Sequence, residues 1–406
     1  MGRGDGAPLT ASATARAGRR RAVRFAPEHA PAVRAFNERL AHAGAPWRFP
    51  ESTVPDWLRR VDGVPVWQEY FLLLEDDAVR GAYVLKRQDA VVGREARPRR
   101  VGSFYWPLSE GTIDPTYALV APRLLQAALE DEPLLFLVGM VGRDRPIARL
   151  VRALGWRLTS VPFYFKPLRP DRFFRELRYV RRRAGARWVL DLARVTGVGW
   201  LGLTLAGLAL RARALRPAPP RIDVVRRFDD WADAIWAANA PRCAFVGGRD
   251  SAALNATYPP ESNAFIRLRM ARGDRTIGWA VVQDSLTGSS EHFGGMRVGT
   301  IVDAFAAPED AAAVVRASCD ALAERHVDLI ISNQSHRAWR RALSRAGFLR
   351  GPSSWLFAPS PALAELVFAV DPGGHAIHLN RGDGDWPWGA GLEGPARPAA
   401  RERLHK

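Results

Sequence analysis

Residues Arg297 to Phe348 read "RVGTIVDAFAAPEDAAAVVRASCDALAERHVDLIISNQSHRAWRRALSRAGF". An apolar strand-like run ends near Phe305, and Pro308 with two acids then opens an alanine-rich helix. "VDLIIS" follows as a short buried strand. A polar loop holding Ser332, Asn333, Ser335 and His336 leads into an arginine-rich helix that stops at Gly347-Phe348. Proline and acids at a helix start and glycine after its end are boundary signals. Strand, helix, strand, helix predicts a layer of sheet covered by helices.

The same order occurs earlier in the chain. "RVGSFYW" (Arg100 to Trp106) matches "RVGTIVD" (Arg297 to Asp303), and "YALVAPRLLQAALEDEP" leads into "LLFLVG" as "DAAAVVRASCDALAERH" leads into "VDLIIS". "PIARLVRALGW" parallels "AWRRALSRAGF", with Gly155 and Gly347 equivalent. "VRFAPEHAPAVRAFN" from Val23 parallels "VRRFDDWADAIWAAN" from Val225. Matches in one order argue for an internal duplication. In the second copy "FIRLRMARGD" and "TIGWAVVQDS" alternate around Gly273-Asp274 and predict a hairpin.

The expected organisation is a tail over 1–20, a first α/β domain over 21–170, a linker over 171–221, a second α/β domain over 222–371, and an extension and tail over 372–406. The linker is rich in arginine at both ends and uncharged from Val195 to Leu210. Those sixteen residues fall short of the roughly 20 needed to span a bilayer. A helical linker is expected, with peripheral membrane contact through 172–216 as the alternative.

The net charge is +17, yet among 59 basic residues only Lys86, Lys166 and Lys406 are lysines. That skew matches a codon bias toward arginine. No zinc-finger spacing or aromatic RNA signature accompanies the charge, so DNA is not an expected partner. Anionic lipid, anionic polysaccharide or tRNA remain partners that the charge suits. Cys243 and Cys319 show no metal or redox spacing, and no secretory signal opens the chain, so a cytoplasmic protein with free thiols is expected.

Alternation along the strand from Val298 puts Thr300, Val302 and Ala304 on one side and Gly299, Ile301, Asp303 and Phe305 on the other. Asp303 is therefore a carboxylate among apolar neighbours near a strand's C-terminal end, where open α/β sheets bind ligands. The first copy has Trp106 there. Ser335 is expected to cap the last helix, and His336 is a candidate acid or base near neutral pH. "HAIHLNRGDGDWPWG", with His375, His378, Asp383, Asp385, Trp386 and Trp388, fits no metal cage. It reads as a closing strand followed by turns, or as a lid.

The strand and helix order, with Asn333 in the loop and the helix ending in Ala-Gly-Phe, resembles the GNAT acyltransferase superfamily. The double copy is similar to two-domain members such as the Fem peptidyltransferases and mycothiol synthase-like enzymes. The resemblance implies two tandem mixed-sheet α/β domains and an acyl-CoA donor, acetyl-CoA or another. It also implies an amine acceptor, either a small molecule or a glycan precursor; a Fem-like transfer from aminoacyl-tRNA and a non-catalytic binding protein are the alternatives. For that chemistry Asp303, by its place on the strand, is the candidate base, and His336 is the candidate acid or base in the loop. Ala306, Ala307, Ser332 and Asn333 would hold the donor. Glu291, His292, Tyr258 and Arg242 would line the acceptor side.

The family's phosphate-binding motif is replaced here by "AAPEDAAAVV", where Pro308 lacks an N–H and Glu309 and Asp310 oppose an anion. The tyrosine that protonates the thiolate in many members is replaced by Leu343 in the second copy and Val151 in the first.

Overall fold

The computed structural model describes residues 20–54, 58–94, 98–140, 142–176, 219–286 and 295–384. Glu291 and His292, the linker from 177 to 218, the first nineteen residues, and Asp385, Trp386 and Trp388 lie outside the described residues.

The first copy runs β1 (Arg20–Arg24), α1 (Ala30–His42), β2 (Val66–Glu75), β3 (Ala78–Val92), β4 (Arg99–Ser109), α2 (Val120–Asp131), β5 (Leu135–Val138), α3 (Pro146–Ala153), β6 (Thr159–Ser160), β7 (Phe163–Pro167) and α4 (Pro170–Glu176). The second runs β8 (Arg221–Val225), α5 (Asp230–Asn239), β9 (Phe245–Gly247), α6 (Ser251–Thr257), β10 (Ile266–Arg272), β11 (Arg275–Leu286), β12 (Arg297–Ala306), α7 (Ala311–Glu324), β13 (Leu329–Asn333), α8 (Arg337–Arg345), β14 (Leu349–Gly351), β15 (Leu356–Pro359) and α9 (Pro361–Val370). The expected hairpin forms, with Arg272 opposite Arg275 across the Gly273-Asp274 turn. Among the described residues no helix is long and apolar enough to cross a membrane.

The two mixed sheets have the same plan. One is ordered β1-β2-β3-β4-β5-β15-β6, with β9 attached to β3, and the other β8-β10-β11-β12-β13-β7-β14. Each sheet thus contains a strand from the other copy. β15 pairs with β5 and β6 of the first copy, and β7 pairs with β13 and β14 of the second. β5 and β13 pair on one edge with β4 and β12 of their own copies, and the exchanged strands satisfy the other edge, because a buried strand cannot leave its N–H and C=O groups unpaired.

Helix ends follow the sequence signals. Gly155 and Gly347, the matched pair, both take left-handed φ (81° and 86°) just past α3 and α8, the conformation glycine adopts without steric cost. α8 presents Trp339, Ala342 and Leu343 to the core and Arg337 and Arg341 to solvent. Its cap differs from expectation. His336 Nδ1 accepts from the Ala338 N–H at 3.2 Å, while the Ser335 hydroxyl turns the other way and donates to the Ile377 carbonyl at 2.6 Å. The helix starts at Arg337, so His336 rather than Ser335 occupies the cap position.

α7 and α8 cover one face of the second sheet through Val314, Leu322 and Leu343, and a cluster with Phe228, Trp279 and Phe305 fills the other. A seam built from Phe136, Phe245, Phe357, Ile377 and Leu379 joins the copies.

Candidate functional site

The central parallel pair of the second copy is short. β12 and β13 pair from Val298↔Leu329 to Ile301↔Ser332 and then diverge, while β12 continues to Ala306. At the point of divergence β12 bulges. Val281 faces Asp303 and Val282 faces Ile301, so Val302 has no opposite partner. The bulge corrects the strict alternation expected from sequence: Ile301 packs with Ala304 on the α7 side, while Val302 and Phe305 pack on the other. The first copy has the same device in β4, where Tyr105 faces Val84 and Leu108 faces Ala82, and Trp106 takes a left-handed φ of 52°.

Asp303 leaves the bulge into a buried polar cluster. The residue is 3% exposed. Its Oδ1 accepts from Arg249 Nε at 3.1 Å and Asn380 Nδ2 at 2.5 Å, and its Oδ2 accepts from the Tyr258 hydroxyl at 2.9 Å. Arg249 also donates to Asp383 Oδ2 at 2.7 Å and to the Gly247 carbonyl at 3.0 Å. The carboxylates of Asp303 and Asp383 thus face the guanidinium of Arg249 and the buried ammonium of Lys86 from β3. Such balance is required because an uncompensated buried charge is costly.

Each group responds to that setting. Burial, reinforced by the Asp303 charge, pushes the Tyr258 phenol well above its usual value, so it stays a proton donor. Burial works against the charge of Arg249, and Asp303 and Asp383 more than offset it. Burial lowers Lys86, with Asp383 opposing. Burial raises Asp383, with Arg249 opposing.

The divergence of β12 and β13 is filled by the chain's own C-terminal segment. His378 Nε2 lies 3.1 Å from the Ala304 carbonyl on β12 and donates to it, since a carbonyl only accepts. On the β13 side Asn380 bridges Gln334, the Ser335 N–H donates to the Leu379 carbonyl at 3.0 Å, and Arg381 Nη1 donates to Asn333 Oδ1 at 2.7 Å. The segment therefore crosses from one strand to the other. Gly382 lies flat on Tyr258, where a Cβ would overlap the phenol oxygen.

The structure brings together Asp303, Tyr258 and, through Arg381, Asn333. Ser332 stays in the β12–β13 ladder, its hydroxyl 3.5 Å from the Ile301 carbonyl. Ala306 ends β12 against Gly278, and Ala307 follows it before α7. His336 is turned to its helix cap, and burial lowers it to about 4. Arg242 leaves the cluster and grips Glu309 at 2.9 and 3.1 Å. Asp310, at the start of α7, pairs with Arg272 and Arg275.

Arg249, Lys86 and Asn380 were not singled out from sequence. A signal existed for Lys86, one of three lysines in an arginine-rich chain, set inside the apolar strand "AYVLKRQDAVV".

No protein-family model matches the chain, and no curated protein matches it. Several solved structures are similar in arrangement. A tandem GNAT protein from the clavulanic acid biosynthesis pathway matches over 84% of this chain and 98% of its own, at 11% identity and TM-score 0.45. Saccharomyces cerevisiae N-myristoyltransferase with bound myristoyl-CoA matches over 84% and 79%, at 9% identity and TM-score 0.48. A GCN5-related N-acetyltransferase from Anabaena variabilis matches over 71% and 62%, at 9% identity and TM-score 0.44, so the match spans less than two thirds of that protein's length. The chain is similar in overall arrangement to GNAT N-acyltransferases, a tandem one among them.

Proposed function

We propose that the protein is an N-acyltransferase with a GNAT-like tandem fold, moving an acyl group from an acyl thioester of CoA to an amine on a small molecule or glycan precursor. The observation that carries the reading is the divergence of β12 from β13 at a bulge that delivers Asp303 into the opening. A narrow gap between two diverging strands suits the extended thioester arm of a donor, and the Ala304 carbonyl, which His378 now occupies, suits an amide partner along that arm.

In the reaction, the amine nitrogen attacks the thioester carbonyl, a C–N bond forms and the C–S bond breaks. The ammonium proton goes to Asp303, and the thiolate takes one from water. Tyr258 keeps the carboxylate oriented, and Arg249 supplies positive charge beside it. His336, committed to its cap, has no part in this scheme.

The second reading is a non-catalytic protein that keeps the architecture for binding. It is favoured by the start of α7, where Asp310 and Glu309 already hold arginines at the place a pyrophosphate would take. Calorimetric titration of the full chain with CoA and acetyl-CoA, followed by an acetyl-transfer assay on amino-sugar acceptors, separates the two. Binding, with transfer lost in Asp303→Asn while binding is retained, is the expected result. Absence of binding in both the wild type and a form with the C-terminal segment displaced would leave the second reading.

A further inference from the structure

The segment from His375 to Asp383 lies where the donor of the reaction above would lie. We propose that it is an autoinhibitory strap: it closes the opening between β12 and β13 by contacting both strands, and a ligand enters only once the strap is withdrawn. The inference rests on the acyl-donor reading for the identity of that ligand, and on contacts within the chain for the closure itself.

The strap is tied along its length. Ala376, Ile377 and His378 run beside Ala244 and Phe245, His378 also reaches β12, Leu379 and Asn380 reach β13, and Asn380, Arg381 and Asp383 hold Asp303, Asn333 and Arg249. It begins just after Gly374, which takes a left-handed φ of 65°, and Gly382 and Gly384 interrupt its far end. Glycines on both sides give the segment hinge points, and Ile377 and Leu379 leave the seam as it moves.

The fit is incomplete. Neither polar atom of the buried Gln334 side-chain amide has a partner, nor does His378 Nδ1, although both residues sit where the strap crosses. A cavity of about 80 Å³ remains beside it, lined by Ser335, Arg340, Gly374, His375, Ile377 and Leu379. A permanently built strand rarely leaves buried polar groups unmatched. A ligand carrying amide groups along an extended arm would match Gln334 and the Ala304 carbonyl that the strap now covers.

Withdrawal also changes the chemistry at Asp303. It removes Asn380 from Oδ1 and Asp383 from Arg249, leaving Asp303 with Arg249 and Tyr258 and one face open. The carboxylate then has an acceptor position free for an ammonium proton.

Hydrogen–deuterium exchange on the full chain, wild type and Gly382→Ala, alone and with CoA or acetyl-CoA, tests this. The alanine forces the strap off Tyr258 without altering any charge. The strap amides of His378, Leu379 and Asn380 are expected to exchange on the order of tenfold or more faster than the β12 ladder in the wild type, and faster again in the variant. CoA affinity should rise in Gly382→Ala by on the order of tenfold, as the competent fraction grows. Strap and β12 amides exchanging at one rate in both proteins would overturn the strap. A strap that opens in the variant without CoA binding would uphold the closure and sink the acyl-donor reading instead. Should Gly382→Ala not fold, the wild-type exchange with and without acetyl-CoA decides, because a displaced strap deuterates faster when the ligand is present.

Discussion

The Tyr258 hydroxyl donates to Asp303 Oδ2 at 2.9 Å, across 45 positions of sequence, in a place where neither group reaches solvent. Two polar groups that deep must satisfy each other, and the phenol, with its proton held by burial, is the donor that a carboxylate needs. Removing the hydroxyl in Tyr258→Phe therefore costs about 1–2 kcal/mol. Denaturant unfolding reads it as a lower midpoint with unchanged slope. A loss within error would mean that the bond contributes nothing.

Arg249 bridges Asp303 and Asp383 and bonds the Gly247 carbonyl. In Arg249→Ala two buried carboxylates face one lysine, a destabilisation of about 3–5 kcal/mol. Arg249→Lys should recover little, because one ammonium cannot reproduce the planar fork that meets both acids. Because the Asp383 contact belongs to the strap, the double-mutant cycle of Arg249→Ala with Asp383→Asn should show coupling of about 1–3 kcal/mol by denaturant unfolding. Simple additivity would show that the two are independent.

How much of this cluster was legible in advance follows from the physics of each residue. Asp303 stood out because a carboxylate inside an apolar strand violates the local pattern, and Tyr258 because of its place in the early loop of the copy. Arg249 did not, since an arginine in an arginine-rich chain carries no local signal and its burial depends on contacts from 54 and 134 positions away. The duplication was readable because matched glycines close matched helices. The exchange of β7 and β15 was not. Alternation says that a strand is buried and is silent on which sheet buries it. The bulge at Val302 defeated strict alternation for the same reason, since an extra residue is visible only against its partner strand.

His336 is buried and lowered to about 4, and His378, completely enclosed, is lowered well below its usual value by burial and by Arg249. Both are neutral in the folded chain and bind protons more readily when unfolded. The unfolded state therefore gains protons first as pH falls, and stability drops from about pH 6.5 toward pH 4 while remaining full above 6.5. For His336 alone the loss by pH 4 is about 3 kcal/mol. Denaturant midpoints at pH 7 and pH 5 in constant salt should fall, and His336→Asn, which keeps an N-cap side chain, should fall less. Equal slopes in the two proteins would assign the pH dependence elsewhere.

Each copy supplies the other's penultimate sheet strand, so neither copy is a complete folding unit. In a fragment spanning residues 20–176, β5 loses β15, and the aromatic seam loses Phe245 and Phe357 from around Phe136. An edge of that kind invites association with other chains. The fragment alone is expected to aggregate or to show a broad, non-cooperative thermal transition by circular dichroism, and the fragment 219–384 likewise. Mixed during refolding, the two should give one cooperative transition and co-elute in size exclusion. A full chain cut at a protease site inserted between residues 177 and 218 should also elute as a single species until denaturant is added, because the exchanged ladders and the seam hold the halves without the covalent link. Independent, cooperative folding of either fragment would show that the exchanged strands are ornament to two self-sufficient domains.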